Sequence, residues 1–138
     1  MNPFFYPSPV AFTKGLAVIR VAVGLLLVYH GQEVFHPEIM KGYTEWDMFK
    51  SPLGVYFVYL GKSTELLAGI LLTLGFLTRV AALLTIGTFL YITFFVGNGR
   101  FWYEDQHPFM FLIFGVLFAF SGPGAWSMDT LIFRKKNP

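Results

Sequence analysis

The 138-residue sequence has no cysteine. That excludes disulfides, thiolate zinc sites, iron–sulfur clusters and covalently attached c-type haem. Charge is scarce as well: only 13% of the residues are Asp, Glu, Lys or Arg, where a soluble domain carries about 25%. The balance of +2 is too small and too dispersed for a nucleic-acid surface. Nor does the start, "MNPFFYPSPV", place a basic stretch before an apolar one. No cleavable signal peptide is therefore expected, and the first membrane helix should serve as the targeting signal. What the chain has in quantity is apolar bulk. Hydrophobic residues make up 55% of it and 17 residues are Phe, too many for one small aqueous core. This is the composition of a polytopic membrane protein.

A membrane span takes about 20 mainly apolar residues. Four segments meet or approach that length: 12–34, 53–77, 79–96 and 108–121. The last is short and is expected to extend through "GPGAW" or to tilt. Only Thr78 and Arg79 interrupt the second and third runs, so those two form a tight antiparallel hairpin. The expected fold is all-α, an integral membrane four-helix bundle, with residues 1–138 as one domain.

Orientation follows lysine and arginine. Lys14, Arg20, Arg79, Arg134, Lys135 and Lys136 gather at one end, whereas Lys41, Lys50 and Arg100 at the other are diluted by six acidic residues. Both termini are therefore expected in the cytoplasm. The first connection is long, acidic and aromatic. Its Tyr43, Trp46 and Phe49, with Trp102 and Tyr103 of the third connection, suit the membrane–water boundary.

Within this apolar frame Lys62 and Glu65 stand near the middle of the second span. A charge at a helix centre costs roughly 2.5–3.5 kcal/mol on insertion scales, and it usually faces protein or water. Gly61, Glu65, Gly69 and Thr73 recur every four residues, and Ala17, Arg20, Gly24 and Gly31 keep close to one face of the first span. Small residues along such stripes let membrane helices approach closely. At the helical rise, Arg20 lies about 12 Å and Glu65 about 18 Å from the cytoplasmic end, a gap that an arginine can bridge. Lys62, one turn further out, approaches the depth of His30 and Glu33. The expected intramembrane polar network is Arg20, Glu65, Lys62, His30 and Glu33. Two readings of it stay open: an ion pair that fixes packing, or a working site. Thr85, Thr88 and Thr93 are expected to bond back to their own helix.

The end of the fourth span, "GPGAWSMDTLI", is similar to the closing G-P-G-x-x-S-x-D signature of the DoxX family of small bacterial and archaeal membrane proteins. "IRVAVGLLLVYHGQEVF" resembles that family's first helix, and "ELLAGILLTLGFLTRVAALL" its second and third. "FW" before acidic residues resembles its third connection. The likeness runs from Gly15 to Ile132. This chain departs from it after the "HG" of the first helix, where the family often has a basic residue and this chain has Gln32, Glu33 and Phe35. The resemblance implies a four-helix bundle in the cytoplasmic (inner) membrane of a bacterium or archaeon. It further implies association with membrane redox chemistry, as a subunit of quinol-oxidising or thiosulfate:quinone oxidoreductase systems or a partner of thiol-stress proteins.

A quinone head needs donors at its carbonyls and an aromatic or aliphatic slot. His30, Tyr29, Tyr59, Trp102 and His107 are the candidate quinone-binding residues, with Glu65 and Glu33 as candidate proton relays. No metal or haem is expected, because a b-type site would rest on His30 and His107 alone and "EDQH" is thin for a metal. Asp105 should instead cap the fourth helix, with Pro108 in its first turn. Lacking a flavin, haem or iron–sulfur motif, such a chain would act as a subunit or quinone platform for a partner that carries electrons. Besides the lipid bilayer, its expected partners are other membrane or envelope subunits or a second copy, not nucleic acid. Two other readings are a non-catalytic scaffold of a larger membrane complex and a proton-coupled transporter of a small solute.

Overall fold

The computed structural model describes residues 8–134; Lys135 and Lys136, used above for orientation, lie outside them. The described chain is helical throughout, and its helices begin and end where local chemistry dictates. α1 (Pro9–Gly31) starts on Ser8, whose hydroxyl accepts the Ala11 N–H, with proline in the first turn. A 3-10 turn (Gln32–Phe35) continues it. α2 (Pro37–Thr44) is a short helix of the first connection. α3 (Pro52–Leu74) is capped by Ser51 in the same manner as α1 and is closed by Gly75 in the left-handed region at φ 63°. α4 (Thr78–Tyr91) runs on into a π-helical turn, Ile92–Val96. α5 (Gln106–Ser121) and α6 (Met128–Phe133) complete the chain.

Three helical stretches are long and apolar enough to cross a membrane: Pro9–Phe35, Pro52–Leu74 and Thr78–Val96. α5 is apolar but has only 16 residues, about 24 Å at the helical rise against a hydrocarbon core of about 30 Å. It does not extend through "GPGAW" as expected from sequence. Gly122 at φ 75° ends it, and Pro123 cannot rejoin a helix interior.

α1 packs against α3, α3 against α4 and α4 against α5, whereas α1 and α5 touch only sparingly. The main core, with Val23, Leu27, Leu72, Ala82, Phe89, Phe111 and Phe118, lies along these seams. Because lipid tails are as apolar as leucine, contact in a bilayer is driven by close packing more than by burial. The α1–α3 seam has it. A Cβ on Gly24 would stand 2.6 Å from the Thr73 backbone nitrogen, and one on Gly69 2.6 Å from that of Val28. The glycine stripes read from the sequence therefore meet, with one exception: Gly61 has nothing within 4 Å of its would-be Cβ.

One end of the bundle is closed by a strap, the segment between α5 and α6. Asp129 accepts the Leu77 N–H at 2.7 Å and the Thr78 N–H at 2.9 Å, capping α4 across the α3–α4 hairpin. Its own N–H donates to the Gly75 carbonyl at 2.9 Å, and the Ala125 N–H to that of Thr13 at 3.0 Å. Ser127 caps α6. The G-P-G-x-x-S-x-D signature is thus a clamp joining α1, α3 and α4. Asp105, at the start of α5, makes no side-chain cap to its helix. Its carboxylate instead accepts the N–H groups of Asn98 and Arg100 at 3.0 and 2.9 Å, because the tight turn ahead of it presents those donors first. Thr85 bonds back to Ala81 as expected; the buried Thr93 hydroxyl has no partner among the described residues.

Candidate functional site

Arg20 is fully buried, but it does not meet Glu65. Its guanidinium donates to the carbonyls of Leu72 at 2.8 Å, Trp126 at 3.0 Å and Ala125 at 3.2 Å. The reason is directional. Side chains on a helix lean towards its N-terminus, and α1 and α3 run antiparallel. Arg20 therefore leans towards the strap and Glu65 towards the opposite end, so depth along the axes misjudges where their tips lie. A planar five-donor fork also suits the orphan carbonyls that end α3. Gly75 must be glycine here twice over, since a Cβ would sit 2.1 Å from Arg20 Nη1 at a positive φ.

The rest of the expected network gathers at the far end. Lys62 Nζ lies 2.8 Å from Glu33 Oε2 and 3.1 Å from Glu65 Oε2. The Tyr43 hydroxyl donates to the same Glu33 oxygen at 2.8 Å, and Lys62 stands 5.0 Å over the Tyr43 ring. Two carboxylates thus share one ammonium, with a phenol above them. Glu65 is only 5% exposed. The Tyr43 phenol, outside the spans, is pushed above its usual range by burial and by its hydrogen bond to the Glu33 carboxylate. In the sequence Tyr43 reads as a boundary aromatic; its hydrogen bond depends on α2 folding back over Glu33, which no spacing announces.

Beside this cluster lies a cavity of about 500 Å³, within the range of small-molecule sites. Lys62 and Glu65 form part of its wall, and Trp46, Phe49, Phe57, Phe89, Tyr91 and Ile92 are among its apolar lining. His30 and His107 border it together, their rings 5.3 Å apart and edge to face. Gly61 and Gly87 leave it open, since neither would bring a Cβ within 4 Å of anything. Three of the sequence's candidates stand apart. Tyr29, Tyr59 and Trp102 are 65%, 42% and 64% exposed and do not line the cavity. Phe49, expected at the membrane boundary, is buried with Met40 and Val58.

An all-helical chain with spans of this length and a charged cluster closed inside them is a polytopic membrane protein. It belongs to the DoxX family, whose model matches residues 15–98. The matched region runs from within α1 through α4 and stops short of the clamp signature. Among similar proteins is the inner membrane protein YqjF of Escherichia coli, 31% identical over 88% of this chain and 94% of its own length. Another is the uncharacterized membrane protein Rv3486 of Mycobacterium tuberculosis, 29% identical over 85% of this chain and 80% of its own. An uncharacterized protein of Haemophilus influenzae is 27% identical over 87% and 92%. No solved structure matches the chain.

Proposed function

We propose that this DoxX-family protein is a redox-associated subunit of the cytoplasmic (inner) membrane that holds a quinone head in the cavity between α1, α3, α4 and α5. The observation that carries this reading is the wall itself. Two imidazoles, either of which can donate from a ring nitrogen, stand side by side against an aromatic slot of ligand size. Tyr29, Tyr59 and Trp102 drop out as head-group ligands on position alone. The electron carrier belongs to a partner subunit, since a quinone platform of this kind supplies binding and orientation and the redox cofactor does the rest. In this reading both termini and the strap face the cytoplasm, and the cavity end faces outward.

The test is to purify the chain gently with native lipid, extract it, and identify bound quinone and co-purifying polypeptides by mass spectrometry. Stoichiometric quinone is expected from the wild type. Gly61→Leu should fill the cavity and remove it while leaving the thermal midpoint close to wild type, because the added side chain enters open space. Absence of quinone beside a stable set of partner proteins would overturn the quinone reading and favour a scaffold.

A further inference from the structure

We propose that the cavity is also a binding site for a lipophilic organic cation, an ammonium or phosphonium carrying apolar or aromatic groups. This goes beyond the quinone reading and does not depend on it. The inference begins with charge. Glu33, Glu65 and Lys62 are in mutual contact inside the span region, and together they sum to one negative charge when ionised. Arg20, the cation that could have balanced it, is committed to the strap carbonyls at the other end. When both carboxyls are ionised the cluster lacks one positive charge, which either a proton or a bound cation can supply.

The second observation is the unused acceptor. Glu65 is 5% exposed and lines the cavity, yet among the described residues only its Oε2 is engaged, by Lys62. Its second oxygen has no donor. A carboxylate accepts on both oxygens, so the free one offers a partner to whatever fills the cavity.

The third is the wall. Phe57, Phe89, Tyr91 and Trp46 border the same space. Each already stacks on another ring, Tyr91 on both Phe57 and Phe95, so what they offer is chiefly apolar surface, with a cation–π contact only where a face is left free. The site already contains one such contact, Lys62 over Tyr43 at 5.0 Å. A neutral ligand would gain the apolar wall alone. A lipophilic cation gains the wall and the Glu65 carboxylate, which shares its one cation with Glu33. His30, His107, Tyr43 and Tyr91 are the other titratable groups on the cavity, and of these only an imidazolium could supply the same positive charge.

The test is equilibrium dialysis of tetraphenylphosphonium against the full chain in phosphatidylglycerol nanodiscs, with empty discs as the blank. Triphenylphosphine oxide serves as the neutral comparison of similar aromatic bulk. After each compound's uptake by empty discs is subtracted and its enrichment at the anionic surface is allowed for, the wild type should bind the cation saturably and at least about tenfold more tightly than the neutral compound, a modest share of what one unpaired charge exerts at contact distance. Glu65→Gln should abolish that preference, and Lys62→Met, which leaves both carboxylates unbalanced, should strengthen it. Opposite signs in the two variants separate the effect from misfolding, and if neither variant folds the wild-type comparison decides. Repeating the measurement in phosphatidylethanolamine discs, with the same surface correction, separates sources: phosphonium binding that weakens beyond that correction points to competition from the lipid's own ammonium, and binding unchanged by it points to a free cation. Cation and neutral compound binding within twofold of each other, no saturable binding, or a folded Glu65→Gln that binds like wild type would each overturn the proposal. Quinone bound without any cation preference would overturn it and leave the quinone reading standing.

Discussion

Arg20 shows how one side chain can look functional in a sequence and be structural in the fold. It makes charge-assisted hydrogen bonds to carbonyls of α3 and of the strap. Such bonds are worth about 1.5–3 kcal/mol each, and a buried carbonyl left without a donor is costly. Arg20→Met is therefore expected to lower stability by roughly 3 kcal/mol or more, seen as a marked fall in the thermal midpoint in detergent. Glu65→Gln should cost less, because Lys62 keeps Glu33. Tyr43 supplies a pH signature. Its phenol is held above the ordinary value in the folded state, so folding favours the protonated form. The stability this contributes is fully present below the unfolded tyrosine pKa, near 10, and is lost as pH rises through the higher folded value. Midpoints measured from pH 8 upwards should fall at the alkaline end, and Tyr43→Phe should fall less steeply.

Among the helices, the decisive contrast is between glycines on one face of α3. Gly69 sits against the α1 backbone, whereas Gly61, two turns away on the same stripe, faces the cavity. Gly69→Ala should destabilise by about 1–3 kcal/mol through overpacking. Gly61→Ala should leave the midpoint unchanged or raise it slightly, since alanine is the better helix former. Equal effects in a melting experiment would mean that the α1–α3 seam is misplaced. The four-residue spacing of Gly61, Glu65, Gly69 and Thr73 marks one face correctly. It cannot say where along that face the partner helix leaves, because α1 ends at Gly31, beside Leu66, and Gly61 lies past that point, facing the cavity.

The whole molecule is polar in its two ends. The clamp end carries Arg20, Asp129 and the hairpin, and holds together helices that otherwise meet in a row. The other end is looser and holds the cavity under α2. Exposed apolar side chains such as Tyr29, Phe120 and Leu131 occur at both ends of the molecule, which suits a chain solvated by lipid. Membrane orientation is testable without background labelling, because the chain has no cysteine. Gly42→Cys, at an exposed glycine with open space around it, should react with an impermeant maleimide on intact cells. Arg79→Cys, exposed beside the hairpin, should react only after permeabilisation. The reverse pattern would turn the proposed topology over and place the cavity on the cytoplasmic side.

The sequence alone determined the helices. Apolar run length set α1, α3, α4 and α5 to within a few residues, because it is a local property of the chain. It also marked which residues had to be sheltered: Arg20, Lys62 and Glu65 are costly in lipid wherever the helices go. Which of them would meet was decided by tertiary structure. Antiparallel packing sends the Arg20 and Glu65 side chains to opposite ends. The fold of α2 delivers Tyr43 to Glu33, and the strap brings Asp129 to an α4 terminus 51 residues earlier. These contacts depend on helix direction and on loops that cross the bundle ends, and neither is written in periodicity.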